Sequence, residues 1–98
     1  MANLGLIPTH DCVQRICEAF PEGCEVELIW MDDVYHKIPR GTRGKVVRVD
    51  AIGTIFVHWE NGSGLGVVWN SDIVRNMQTG VVSNAFWSDG NPPKNCKK

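Results

Sequence analysis

Five cations stand close together in the middle of this 98-residue chain. They follow Tyr35 and His36 directly, and they are half of the chain's ten Lys and Arg: Lys37, Arg40, Arg43, Lys45 and Arg48. Such groups hold phosphates through charge-assisted hydrogen bonds, and a nearby ring can stack on a base. The segment 36–48 therefore indicates a surface for nucleic acid or a small nucleotide. A solvated loop that keeps a sheet edge soluble has the same composition, and nearby acids would neutralise part of the charge: Glu25, Glu27, Asp32 and Asp33.

Four tryptophans form the second group of candidates. An indole buries a large area at little cost in side-chain entropy. Trp30 and Trp59 fit core or barrel-mouth positions at the ends of strands. Trp69, near a turn, and Trp87, in the C-terminal segment, are predicted to be exposed, because exposed aromatic residues commonly anchor protein interfaces. The alternative role for these two indoles is to cover the open end of a barrel.

Patterns for catalysis or metal binding are weak in this sequence. Asp32 and Asp33 could act as metal-binding or general-base carboxylates, but adjacent acids in a loop more often cap turns. His10, Asp11 and Cys12 have the residue types of a cysteine nucleophile with its base, yet neighbours on one helical turn do not face each other. The four cysteines show no Cys-x-x-Cys spacing. We therefore expect a non-enzymatic protein with no catalytic residue, metal or cofactor.

One short helix is predicted before any strand. Thr9 offers a hydroxyl for the N-cap, and an acid in the first turn suits the helix dipole. An apolar face with helical spacing follows, formed by Val13, Ile16, Cys17 and Phe20. Proline and glycine in the segment 21–23 end the helix. The face must pack on another element, which the rest of the chain has to supply.

From Cys24 onward the apolar period changes from 3.6 to 2, which indicates β-strands. We predict strands at 24–30, 45–50, 54–59, 65–69 and 73–75, with a long loop at 31–44. The expected organisation is an arm at 1–8, one domain at 9–76 and a C-terminal extension at 77–98. The predicted class is mainly β (α+β), a small five-stranded barrel with one N-terminal helix.

Two resemblances can be read from these strands. The run from Pro39 to Asp50, with its glycine-centred turn, resembles the turn plus strand of small SH3-like and KOW-type barrels. A wider ordered set of motifs looks like a family of short bacterial and phage domains of unknown function: Val26-Glu27-Leu28, Met31-Asp32-Asp33, Pro39 to Gly44, Val49-Asp50, Gly53-Thr54-Ile55, Val57 to Gly62 and Leu65-Gly66. The likeness covers residues 12–76. It implies an SH3-like barrel and a phage or mobile-element accessory protein, and it carries over no catalytic residue.

Two functions of different class follow. In the first, the chain binds a host or phage protein, or another copy of itself. The binding groove lies between the long loop and the Asn61–Gly64 turn and contains Tyr35, Trp59 and Trp69. Trp87 is a further aromatic contact. In a phage setting such binding could block a host defence system. In the second, Arg40, Arg43, Lys45 and Arg48 bind nucleic acid or a nucleotide.

The expected compartment is the cytoplasm of the bacterial host. Residues 1–7 lack the basic segment and long apolar core of a secretory signal. No apolar run approaches the roughly 20 residues that cross a bilayer. The net charge of −1 gives no overall attraction to nucleic acid or acidic membranes.

Overall fold

The computed structural model describes residues 8–31 and 38–87. The helix α1 spans His10–Ala19. Five strands follow in the predicted order: β1 at Glu25–Trp30, β2 at Arg43–Val49, β3 at Ile55–Trp59, β4 at Gly66–Val67 and β5 at Ile73–Asn76. A short 3-10 helix, Ser83–Phe86, comes after β5. The predicted helix and the five predicted strands are confirmed.

The helix begins as its sequence predicts but turns a different face to the core. The Thr9 hydroxyl accepts a hydrogen bond from the Cys12 N–H at 3.1 Å. Ile16 and Phe20 are buried, whereas Cys17 is exposed, so its assignment to the buried face was wrong. Cys12 and Ala19 pack against the core instead. With a helical period of 3.6, residues on either side of Ile16 and Phe20 could share their buried face. The direction in which the helix packs on the sheet decides which side is buried.

All strand pairings are antiparallel, in the order β4-β3-β2-β1-β5. The last strand therefore returns to lie beside the first, and β2 lies between β1 and β3. A mainly antiparallel five-stranded sheet with one helix is confirmed. Within the described residues, β4 and β5 do not pair with each other, so closure into an SH3-like barrel is not confirmed.

The core lies on the inner face of this sheet. Alternate residues of the strands point into it, as the period of 2 predicts. Trp59 is 0% exposed, and its indole N–H donates to the Leu65 C=O at 2.8 Å. Fifteen hydrophobic residues form one cluster that joins the sheet to the helix: Ile16, Phe20, Cys24, Val26, Leu28, Ile38, Val46, Ile55, Val57, Trp59, Val67, Trp69, Ile73, Val74 and Trp87.

Trp69 and Trp87 belong to this core, so the prediction that they are exposed was wrong. Each is 8% exposed. The Trp69 indole N–H donates to the Phe86 C=O at 2.9 Å, and the Cys12 thiol donates to the same oxygen at 3.1 Å. Both indoles belong to the cluster that joins the helix to the sheet.

The described part of the C-terminal segment, 77–87, is attached to β5. Val82 forms a bridge with Arg75, and the Asn76 N–H donates to the Val81 C=O at 2.8 Å. The buried Ser83 hydroxyl accepts from the Val74 N–H at 3.0 Å. These bonds satisfy backbone groups of the last strand. In the described residues, no helix is long and apolar enough to cross a bilayer.

Replacing Trp87 with alanine tests whether the segment 77–87 belongs to the core. We expect Trp87→Ala to lower the free energy of unfolding by about 3–5 kcal/mol, because a large buried side chain is lost and leaves a cavity. Urea denaturation followed by circular dichroism measures the change. Gln78→Ala, at an exposed position of the same segment, should change stability by less than about 0.5 kcal/mol. An unchanged urea midpoint for Trp87→Ala would contradict the packing described here.

Candidate functional site

An open groove of about 590 Å³ runs along β2 on the outer face of the sheet. We call it the β2 groove. The start of β1 and the turn before it form one wall, and the end of β3 with the following turn forms the other. Its lining residues are Glu22, Gly23, Glu25, Arg43, Gly44, Lys45, Val46, Val47, His58, Trp59, Glu60 and Gly62. Carboxylates and cations therefore line the same concave surface.

The pairing register places charges of opposite sign side by side. Lys45 of β2 lies opposite Glu25 of β1 and opposite His58 of β3. Arg43 lies opposite Glu27 of β1. On the other side of Arg43, its C=O accepts from the Glu60 N–H at 2.8 Å. Each of these two cations thus has a carboxylate on a neighbouring strand.

The same outer surface extends beyond the groove to β5. Arg75 lies opposite Glu27 and forms an ion pair with it. We call the charged set around β2 the charged face: Glu22, Glu25, Glu27, Glu60, Arg43, Lys45, Arg48 and Arg75. It contains four acids and four bases, so its formal charge is balanced. Within the described residues, the Glu27–Arg75 pair is the ion pair that forms on this face.

A bulge in β2 keeps Arg48 on the charged face. The register shifts between Val46 and Arg48, and Arg48 then lies opposite Phe56. The guanidinium carbon of Arg48 is 4.3 Å from the centre of the Phe56 ring. Without the extra residue, strict alternation would turn Arg48 toward the core. Val47, within the bulge, is 46% exposed and gives the groove an apolar patch.

Close contact between β2 and β3 forms the floor of the groove. A Cβ atom added at Gly44 would lie 2.6 Å from Val57 Cγ1 and 2.7 Å from the His58 C=O. Both distances are shorter than real Cβ contacts, so only glycine fits between these two strands. The sequence motif that includes Gly44 thus marks a packing requirement as well as a turn.

The predicted site residues that the structure describes do not form one cluster. Arg43 and Lys45 line the groove, and Arg48 lies on the adjacent charged face. Trp59 borders the groove from beneath, but its buried side chain leaves little indole surface for a ligand. Arg40 does not line the groove; its guanidinium carbon stacks 4.8 Å from the centre of the Trp30 ring.

The remaining predicted aromatic contacts lie elsewhere. Trp69 and Trp87 pack in the core and border a small internal cavity between helix and sheet. Tyr35 falls outside the described residues, as do His36 and Lys37. In the described residues, cations of β2 lie beside carboxylates of the neighbouring elements.

The sequence did not single out three ionisable residues that line the groove: Glu22, His58 and Glu60. Glu22 lies far from the other two in the chain, whereas His58 and Glu60 belong to the motif Val57 to Gly62, which indicated a strand and a turn but no role for these two side chains. The predicted hairpin of β2 and β3 could have revealed His58, because antiparallel pairing of these strands brings it beside Lys45. The position of the bulge sets that register, and alternation of residue types does not reveal the bulge.

Within the described residues, the Cys12 thiol has no imidazole partner. Its thiol donates to the Phe86 C=O, and His10 on the same helical turn is exposed. Burial raises the pKa of the Cys12 thiol, while a hydrogen bond with Trp69 and the charge of Arg15 oppose the rise. A raised pKa leaves less of the nucleophilic thiolate. Among the residues described, no group of three or more His, Cys, Asp or Glu could hold a metal ion.

The fold and the groove define a small antiparallel β domain with one helix and a mixed-charge surface on its sheet. The chain belongs to the family described as a domain of unknown function (DUF4314), whose family model matches residues 9–77. Membership in a family of unknown function is thus confirmed, close to the predicted limits of 12–76. Every residue of the β2 groove lies inside the matched range, whereas Trp87 and the 3-10 helix lie beyond it. Comparisons with curated proteins and with solved structures gave no match.

Substituting Gly44 tests the close approach of β2 and β3. We expect Gly44→Ala to cost about 1–3 kcal/mol of stability, because the new methyl group must displace Val57 and the backbone of β3. Gly64→Ala is the matched control, since nothing lies within 4 Å of a Cβ at that position. Urea denaturation compares the two variants. Equal stabilities would show that the strands are further apart than described.

Alkylation rates test the environment of the cysteines. At pH 8 we expect iodoacetamide to modify the exposed Cys17 faster than Cys12 or Cys24, because burial raises the pKa of both latter thiols and hides them. Peptide mass spectrometry at successive times measures the order. The raised pKa values of Cys12 and Cys24 also affect the free energy of unfolding, because the folded state holds these protons more tightly than the unfolded state. This contribution to stability is present below the ordinary thiol pKa and is lost as pH rises through the raised values. Modification of Cys12 as fast as Cys17 would contradict the burial of Cys12.

Proposed function

We propose that this chain is a non-enzymatic binding module with an SH3-like small barrel, and that it acts by holding a protein partner on its β2 groove. Two features support the barrel. The strand β5 lies beside β1, as it must when a five-stranded meander curls round on itself. A tight turn links β4 to β5, where the N–H groups of Ser71 and Asp72 both donate to the Val68 C=O at 3.2 and 3.0 Å.

The single observation that carries the proposed function is the mixture of charges in the groove. Glu22, Glu25 and Glu60 share it with Arg43 and Lys45. A protein surface can present both signs of charge and apolar contact to Val47. Charge pairs of this kind fix the orientation of a partner and exclude wrong ones more than they add affinity. The groove therefore suits a protein surface that itself carries acids and bases.

Binding of nucleic acid is the alternative, and the row Arg43, Lys45 and Arg48 with its neighbour Phe56 favours it. Cations along one strand and a ring on the next are elements of single-strand binding surfaces. The carboxylates argue against it, because a phosphate backbone lying on β2 would meet acids along both walls of the groove. Phosphate contacts supply most of the affinity for nucleic acid, so these acids weaken the dominant attraction.

The biological setting follows from the resemblance to short bacterial and phage domains. We place the module in the bacterial cytoplasm as an accessory protein of a phage or mobile element, where occupying a host protein could inhibit a defence system.

Site-specific photo-crosslinking in bacterial cells tests the proposed function. A photoreactive phenylalanine derivative replaces Val47 in the groove or, as the matched control, Ile52, which is 51% exposed on the β2–β3 turn and does not line the groove. We expect a discrete protein adduct from position 47 and none from position 52. Adding Lys45→Glu should reduce the adduct at least fivefold, whereas Glu18→Lys on the helix should leave it unchanged.

Two results would contradict the proposed function. One is the absence of a protein adduct from position 47, or an adduct that nuclease digests. The other is saturable binding of a fluorescent single-stranded oligonucleotide by the purified protein. If that binding falls steeply with salt and is lost in Arg43→Ala, it supports the alternative.

A further inference from the structure

We propose that the partner held on the charged face is a second copy of this chain, related by a two-fold axis. The inference rests on the proposed function, because it identifies the occupant of the same surface. It follows from the order of charges across the sheet, which is complementary to itself.

The order of signs across four strands carries the inference. One row crosses the sheet from Arg75 on β5 to Glu27 on β1, Arg43 on β2 and Glu60 after β3. Its signs read plus, minus, plus, minus. Reversing this row gives minus, plus, minus, plus, so every charge then meets its opposite.

A two-fold rotation performs that reversal. The axis lies in the plane of the interface, parallel to the strands and midway between β1 and β2. Rotation about it places β1 of one copy over β2 of the other and β5 over the end of β3. Glu27 then faces Arg43, and Arg75 faces Glu60. Contacts of this isologous kind repeat twice in a symmetric dimer.

The neighbouring row of side chains, which contains Glu25 and Lys45, is also complementary to itself under this rotation. Glu25 and Lys45 are register partners on the two central strands, so the rotation brings each over the other in the second copy. Outside them lie His58 on β3 and Met77, whose N–H donates to the Glu25 C=O at 2.9 Å. After the rotation, the thioether of Met77 in one copy faces the imidazole of His58 in the other. No two like charges therefore face each other in this row. Both rows are therefore complementary under one operation.

Four of the six charges in these rows are available to a partner, because Arg75 and Glu27 already pair with each other. Within the described residues, Glu25, Lys45, Arg43 and Glu60 form no ion pair, even though opposite signs lie on adjacent strands. Val47 adds exposed apolar surface beside them. The long stems of Arg and Lys also cover apolar area while their charged ends reach the partner.

The dimer is expected to be weak and sensitive to salt. The face has about ten side chains, fewer than the roughly 20–30 residues per partner of a standard interface. We therefore expect a dissociation constant on the order of 10–100 µM at low ionic strength. Surface charges are screened over about 10 Å at 0.1 M salt and about 3 Å at 1 M, so the constant should rise at least fivefold between 0.05 and 0.5 M NaCl.

Charge exchange between two variants tests the dimer. In Lys45→Glu, two carboxylates oppose each other across the axis, and in Glu25→Lys two ammonium groups do. Each variant alone should sediment as a monomer of 10.9 kDa at concentrations where the wild type forms a species of twice that mass. An equimolar mixture restores both attractive contacts and should form the heterodimer with at least half of the wild-type affinity. Sedimentation velocity measures all three samples.

The controls carry the same charge changes away from the face. Glu18→Lys and Arg15→Glu reverse exposed charges on α1 and should dimerise as the wild type does. Circular dichroism confirms that each variant is folded. A second readout is the double variant Glu25→Lys/Lys45→Glu, in which the two signs are exchanged within one chain and dimerisation should return.

Three results would overturn the inference: a wild type that stays monomeric up to 1 mM in 0.05 M NaCl, a mixture that fails to associate although the wild type does, or charge variants that dimerise unchanged. The crosslinking experiment above separates this failure from failure of the proposed function. An adduct between two copies supports both proposals. An adduct with a different protein from position 47 supports the proposed function and overturns the inferred dimer.

Discussion

The register of β2 between its two neighbours is the constraint on which the outer surface of this protein depends. Lys45 is held opposite both Glu25 and His58, and Gly44 allows β3 to come close enough to fix that alignment. A slip of one residue would turn each side chain of β2 to the other face. Val46 would leave the core and Lys45 would enter it. Burial of the inner face of β2 thus fixes the positions of the charged side chains on its outer face.

The core and the charged face share the strand β2 but use different residues of it. Inward-facing residues of the strands pack with the helix and with the segment 77–87, and Trp69 and Trp87 complete that packing. Outward-facing residues of the same strands carry the charges. The tryptophans therefore contribute to stability, whereas the outer surface presents acids, bases and Val47. This separation changes the kind of recognition expected, from aromatic anchors to orientation by charge.

The balance of four acids and four bases also explains why overall composition says little about function here. A net charge of −1 results from local surfaces of both signs. Arg43 and Lys45 look like a basic patch when the segment 36–48 is considered alone. Once Glu25, Glu27 and Glu60 are brought beside them, the surface is no longer basic. The balanced pattern supports a protein partner, and its order across the sheet supports a second copy of the chain.

The sequence by itself determined the helix cap at Thr9, the change to a period of 2 at Cys24, the five strand segments along the chain, and the role of Arg43 and Lys45 as surface cations. These features depend on interactions between residues a few positions apart, so local patterns report them. Only the tertiary structure decided that Cys12 rather than Cys17 faces the core, that Trp69 and Trp87 are buried, and that Glu60 and His58 join the groove. Those outcomes depend on the direction of helix packing, on the return of the segment 77–87 to β5 and on the bulge between Val46 and Arg48. Each is a choice among arrangements that local patterns allow equally, and long-range packing makes the choice.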